Sequence, residues 1–219
     1  MQNQNKYVLT YWNCRGRAQP LRFLLEYLGI PYEEKRYEIK DAMDWFAKDK
    51  HQLNHPFPNL PNLKDGERIV TETEAIYQYI CKKANRKDLL GANEEEEIDV
   101  CTTRWFLHDL AYAIGEIAYN KDFETIKDAE LEKKVAPKLA YISKFLGEKE
   151  FLHGHITYVD FLCYELLTIM EALKPEMLAK NLKDYIERFA NQKFMKNYMA
   201  SDKYIKRPFY GLATWNPME

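Results

Sequence analysis

Neither sign of charge dominates this sequence. Lys and Arg number 32 against 34 Asp and Glu, for a net charge of −2. A surface with no basic excess carries no electrostatic footprint for nucleic acid or for an anionic membrane. Long apolar runs are missing too, and none approaches the roughly 20 residues that a spanning helix needs. After Met1 the opening residues to Lys6 are polar, with Lys6 their only charged side chain, and lack the apolar centre of a secretion signal. Cysteine is sparse. Cys14, Cys81, Cys101 and Cys163 are scattered without a C-x-x-C pair, which marks free thiols in a reducing cytosol rather than a disulfide framework. A cytoplasmic location is expected. Glycine is scarce, eight in 219 residues, and there is no Walker A loop, dinucleotide fingerprint or serine nucleophile elbow. His153-Gly154-His155 sets two imidazoles at i, i+2, but no Cys, Asp or Glu cluster stands near to complete a tetrahedral set, and His51, His55 and His108 are isolated. No metal is expected.

What the chain holds in quantity is apolar and aromatic. Hydrophobic residues make up 46%, with 16 Tyr and 11 Phe, beside 30% charged residues. That is the balance of a folded protein long enough to bury a sizeable core. The aromatic supply suits a helical core or an apolar ligand pocket, and composition does not separate the two. Residues 6–12 are β-branched and aromatic and predict a strand. After a break at 13–16, Leu21, Leu24, Leu25 and Leu28 keep helical spacing, with Pro20 near the start and Gly29 as the stop. Residues 32–37 read as a second strand, completing a βαβ unit. Residues 40–56 read as irregular. Strands at 60–63 and 68–70 flank the hairpin signal Asp65-Gly66, and a helix starts near Thr73. Beyond a linker near 88–93 only helical patterns remain. Glu94 to Glu97 put four negative charges at a helix start, where they complement the helix dipole. Helices are expected from there to about 120, over 129–146, over 158–172 behind a Thr157-x-x-Asp160 capping box, and around Leu182, Tyr185, Ile186 and Phe189. The last 15 residues, with Pro208 and Pro217, read as a packed tail. The order is an α/β domain over 1–87 and an all-helical domain over 88–219.

Three local features carry chemistry. Tyr11 ends the first strand just ahead of a helix start, where a phenol can donate a hydrogen bond to an anion held at that helix end. Cys14 sits in the same strand-to-helix turn, a setting that lowers thiol pKa, but has no resolving partner. The rigid stretch from Pro56 to Pro61 offers Leu60-Pro61 as a site for a cis peptide, which would expose the Leu60 backbone to a peptide ligand. Glu72-Thr73 open the next helix, suited to an ammonium and a carboxylate together, the two groups of an amino-acid end. Each feature alone has a bland reading as core or turn. Their combination in this order is far less expected by chance.

The runs Tyr11-Trp-Asn-Cys-Arg-Gly-Arg-Ala18, Phe57-Pro-Asn-Leu-Pro61, Glu72-Thr-Glu-Ala-Ile76 and Phe151-Leu-His-Gly-His-Ile-Thr-Tyr-Val-Asp-Phe161 resemble the cytosolic glutathione S-transferases, most closely the mu class. So do Tyr119 to Phe123 and the tail from Arg207 to Trp215. The resemblance implies a thioredoxin-like α/β domain (βαβ-α-ββα) that binds glutathione, plus an all-α domain forming a hydrophobic electrophile site. It implies an enzyme that conjugates the glutathione thiolate to hydrophobic electrophiles in detoxification, with glutathione as co-substrate. Tyr11 matches the catalytic tyrosine, whose hydroxyl donates to the glutathione sulfur. Leu60, ahead of Pro61, matches the backbone contact to the cysteinyl part, and Asn59 a glycyl-end or backbone contact. Glu72 and Thr73 match the pair that holds the γ-glutamyl end. Trp12, Trp45 and Lys50 match groups around the glycyl carboxylate. Asp109 matches an aspartate that reaches glutathione in the neighbouring subunit of a homodimer. Arg17, Tyr119 and Tyr210 match positions beside the electrophile.

The sequence also departs from the mu pattern. Glu72 replaces a glutamine. The loop at 40–50 is about four residues shorter, so that Trp45 falls out of spacing with Lys50 and Phe46 becomes its rival. Arg17 replaces an apolar residue, and Gln78 an interface arginine, while Phe57 keeps the aromatic key of the dimer. Two other readings use the same cleft: a ligand-binding carrier without catalysis, and a glutathione-dependent isomerase of the prostaglandin type, whose class shares Tyr-x-Asn-x-Arg-Gly-Arg-Ala. Retention of Tyr11 favours the enzyme over the carrier. The Asn59-Leu60-Pro61 motif and the tail favour mu over the isomerase class.

Overall fold

The computed structural model describes residues 7–216. Lys6 of the expected first strand and Pro217 of the expected tail lie outside them. The chain folds as two compact units that are not contiguous in sequence. The first takes the residues up to Asn85 together with Asp202–Gly211, and the second takes Arg86–Ser201 and Leu212–Asn216.

The first unit is built on a mixed four-stranded sheet in the order β2-β1-β3-β4. β1 (Tyr7–Trp12) runs parallel to β2 (Tyr32–Tyr37), with Tyr7 opposite Tyr32 and Tyr11 opposite Arg36. β3 (Asn62–Asp65) pairs antiparallel to β1, and β4 (Arg68–Thr71) antiparallel to β3. α1 (Gln19–Leu28) makes the crossover. It buries Leu21, Phe23, Leu24 and Leu25 completely and ends at Gly29, whose φ of +63° is a left-handed cap that only glycine adopts without cost. α3 (Thr73–Lys83) packs against α1 and buries Ile76 and Ile80. This is the thioredoxin-like order βαβ-α-ββα.

Two details depart from the sequence reading. β3 starts at Asn62 rather than at residue 60, because Pro61 has no N–H to give to the ladder. The stretch read as irregular is largely helical, with a wide-turned segment Asp44–Asp49 running into α2 (Lys50–Gln52). Trp45, 3% exposed, anchors it against the Tyr37 ring at 5.8 Å. That long-range burial organises a segment whose own sequence shows no amphipathic pattern.

The second unit is helical among its described residues. α4 (Glu94–Ala118) begins at Asn93, whose side chain accepts the Glu96 N–H at 3.0 Å. The helix expected over 129–146 begins earlier, as α5 (Phe123–Glu130), widens over Leu131–Val135 and resumes as α6 (Ala136–Leu146). Pro137 supplies the reason, since it has no N–H for the preceding turn. α7 (Tyr158–Leu173) carries the capping box that its sequence announces. α8 (Lys180–Ala190) buries Leu182, Tyr185, Ile186 and Phe189. A short α9 (Lys193–Met199), absent from the sequence reading, follows. The core between α7 and α8 is aromatic, with Tyr164 stacked on Phe189 at 4.6 Å. All four cysteines are free thiols.

Candidate active site

The end of β1 delivers Tyr11 to a tight turn. Tyr11 is 9% exposed, and its hydroxyl accepts the backbone N–H of Arg17 at 3.1 Å. Gly16 makes this approach possible. Its φ is +43°, and a Cβ there would sit 2.7 Å from the Tyr11 Oη and 2.8 Å from Cε1. A phenol oxygen that accepts an N–H is polarised toward phenolate, so its own proton becomes a stronger hydrogen-bond donor. Cys14, in the same turn, is 2% exposed. That burial withdraws its thiol from any solvent-borne substrate. The Arg17 side chain is exposed. The tail of the same unit lies along this turn, as the carbonyls of Pro208 and Phe209 accept the N–H groups of Arg15 and Gly16 at 3.0 and 2.8 Å. The half-buried Tyr210 follows directly.

The Leu60-Pro61 peptide is cis. The Leu60 N–H is turned back on its neighbour, donating to Asn59 Oδ1 at 2.9 Å, while Asn59 Nδ2 donates to Glu72 Oε1 at 2.8 Å. Asn59 thus links the Leu60 backbone to the start of α3. Glu72 precedes that helix with φ +67° and ψ +123°, a backbone region costly for a residue with a side chain. The Glu72 side chain makes no cap hydrogen bond at the helix start, and Thr73 beside it is half-buried.

Trp12 continues from Tyr11 and packs against Tyr37 at 5.9 Å and Phe46 at 5.7 Å. Trp45 faces the interior, whereas Phe46 is 51% exposed beside Trp12. Lys50 opens α2, next to Asp49. Hydrogen bonds from Lys35 and Tyr37 hold the Asp49 carboxyl below its ordinary value and pin this segment to β2. The first unit therefore gathers Tyr11, Trp12 and Arg17 around one turn, and Asn59, Leu60 and Glu72 into one hydrogen-bonded chain. Asp109 and Tyr119 lie on or just beyond α4 of the second unit, and both side chains are exposed. Sequence reading missed Gly16 as the residue that lets the Arg17 N–H reach Tyr11, although its lone glycine between strand and helix was a signal. It also gave Arg15 no role, and nothing local distinguished that arginine.

Among the described residues no group of three His, Cys, Asp or Glu side chains is placed to hold a metal ion, and no helix is long and apolar enough to cross a membrane.

Residues 7–82 match the family described as Glutathione S-transferase, N-terminal domain, and residues 108–202 match Glutathione S-transferase, C-terminal domain. Glutathione S-transferase Mu 1 of Bos taurus is 39% identical over 216 residues, covering 95% of this chain and 97% of that protein. Mu 1 of Rattus norvegicus is 38% identical over 217 residues, covering 95% and 98%. Among solved structures, the glutathione S-transferase Blo t 8 is similar with a TM-score of 0.80 at 29% identity, covering 93% of this chain and 96% of that one. The Pi-class glutathione S-transferase of Onchocerca volvulus gives a TM-score of 0.78 at 28% identity, covering 89% and 92%.

Proposed function

This chain belongs to the glutathione S-transferase family of enzymes, and from that membership we propose that it conjugates glutathione to hydrophobic electrophiles in cytoplasmic detoxification. The observation that carries the mechanism is the Arg17 N–H held on the Tyr11 hydroxyl. Free thiols have a pKa near 8.5, so the glutathione sulfur is mostly protonated at neutral pH. Tyr11 donates its hydrogen bond to the sulfur and favours the thiolate. The thiolate attacks the electrophilic carbon, a C–S bond forms, and the leaving group departs with its electron pair. With an epoxide the C–O bond opens instead, and a phenol such as Tyr210 or Tyr119 protonates the oxygen. Arg17 stands on the electrophile side of the Tyr11 turn. No metal enters this scheme.

Glutathione is read along the first unit. The Leu60 backbone pairs with its cysteinyl part, and Asn59 contacts its glycyl end or backbone. Glu72 and Thr73 take the γ-glutamyl ammonium and carboxylate. Trp12 and Lys50 take the glycyl end. The exposure of Phe46 and the burial of Trp45 favour Phe46 as the aromatic edge there. In this reading the enzyme is a homodimer. Phe57, 72% exposed, inserts into the second copy, and Asp109 reaches glutathione across the interface.

The test is conjugation of glutathione to 1-chloro-2,4-dinitrobenzene beside binding to immobilised glutathione. Tyr11→Phe is expected to keep binding and to lose on the order of a hundredfold in turnover at neutral pH. Unchanged turnover would remove Tyr11 from its role. Binding by the native protein without turnover would turn the reading toward the isomerase or the carrier.

A further inference from the structure

The turn that serves Tyr11 is braced from two sides, and one brace comes from the far end of the chain. From α1, Arg22, 1% exposed, donates through Nη1 to the carbonyls of Cys14 at 3.0 Å and Arg15 at 3.4 Å, and through Nε to Glu34. From the tail, the carbonyls of Pro208 and Phe209 accept the next two N–H groups of the turn. The Arg15 side chain joins the two. It is 2% exposed, with its guanidinium carbon 5.2 Å from the Phe209 ring, 5.7 Å from Tyr204 and 5.9 Å from Phe23. Its Nη1 donates to the Tyr204 Oη at 3.0 Å. Filling an aromatic cage needs no charge, and burying a guanidinium costs free energy that an apolar side chain would avoid. What the arginine adds is direction: a planar donor and a cation–π contact that hold one register between turn and tail.

Resting on the reading of Tyr11 as the thiolate's donor, we infer that Arg15 is a positioning residue. It locks the turn at Gly16 and Arg17 to tail residues 204–209 and so keeps the Arg17 N–H on the Tyr11 hydroxyl. The tail is then part of the device that makes thiolate. Loosening Arg15 frees the turn, the Tyr11 oxygen loses its N–H, and its proton becomes a weaker donor to sulfur. Binding of the peptide parts of glutathione, carried by Leu60 and the start of α3, stays as it was.

The experiment titrates the thiolate of bound glutathione by its ultraviolet absorbance and measures kcat/KM against pH, using the full chain. Tyr204→Phe removes one hydroxyl and keeps the ring, and is expected to lower the bound thiolate at neutral pH by about two- to threefold. Arg15→Met is expected to lower it by up to about tenfold, one pKa unit. In both, the rate recovers at alkaline pH and the KM for glutathione is nearly unchanged. Destabilisation alone would lower active protein without moving the thiolate titration. An unmoved titration in Tyr204→Phe, or in a folded Arg15→Met, overturns the inference. If Arg15→Met does not fold, Tyr204→Phe decides alone. Tyr11→Phe is the control. If it leaves the titration in place, the Tyr11 reading falls and this inference with it. If it moves the titration while Tyr204→Phe does not, only the inference falls.

Discussion

Two helix starts, one in each unit, face the same physical problem and solve it differently. Each leaves backbone N–H groups without intrahelical partners. At α7 the chain answers from within. Thr157 and Asp160 form a reciprocal box, and Asp160, fully buried, also accepts the Leu152 N–H at 3.0 Å and the Tyr185 hydroxyl at 2.9 Å. At α3 the N-cap residue, Glu72, makes no side-chain cap hydrogen bond and is exposed in a costly backbone conformation. The completed start stabilises the second unit. In the proposed function the open one receives the amino-acid end of glutathione, and the Glu72 carboxylate accepts from Asn59 Nδ2 at 2.8 Å. What sets the α3 start apart from the other uncapped starts, at α1, α5, α6, α8 and α9, is the positive φ of Glu72.

Breaking the completed start has the largest expected effect. Asp160→Ala strands buried donors from Thr157, Leu152 and Tyr185, each costing about 1–3 kcal/mol, so a loss of about 3 kcal/mol or more is expected in denaturant unfolding. A loss below about 1 kcal/mol would mean that the box is ornamental. Thr73→Ala at the open start is expected to raise the glutathione KM about tenfold while stability moves by less than about 0.5 kcal/mol. The reverse pattern would make α3 another structural cap. Glu72→Gly sharpens the contrast further. Relief of the positive φ is expected to stabilise the protein by about 1 kcal/mol while glutathione affinity falls. A destabilised variant would contradict the strain argument. The smallest effect concerns His153, beside the α7 start. Burial first, then the nearby Lys149, push its imidazole below the ordinary value, and Thr103 Oγ1 lies 3.0 Å from its Nε2. The unfolded chain therefore takes up the proton more readily. The stability contribution is fully present above about pH 6.5 and declines as the pH falls from there through the folded value. Unfolding free energies from urea titration at about pH 7.5 and 5.5 should differ more in the native protein than in His153→Gln, by less than about 1 kcal/mol. Equal slopes would remove His153 from the account.

Much of this was legible in the residues. The β-branched and aromatic run at 6–12, the leucine stripe closed by Gly29, the Asp65-Gly66 hairpin and the Thr157-x-x-Asp160 box all act within a few residues of themselves. So does the position of Tyr11 at a strand end. Other features were not legible. Trp45 and Phe46 are adjacent, and only the packing around Tyr37 and Trp12 turns one inward and leaves the other out. The pattern over 129–146 read as one helix, and neither the wide turn ahead of Pro137 nor the start of α5 as early as Phe123 was legible in it. The positive φ of Glu72 carries no residue-type signal, since glycine would be the expected occupant.

By itself the sequence determined the strand–helix alphabet, the change of character after the third helix, and the residue types of the candidate site, because periodicity, capping and turn chemistry are short-range. The tertiary structure alone decided how those residues are held. A tail 189 positions away in sequence reaches Arg15, and its carbonyls take the N–H groups of the turn on which Tyr11 depends. Such a contact forms only once the sheet and α1 have set the two segments side by side, and no local pattern in either one encodes the other.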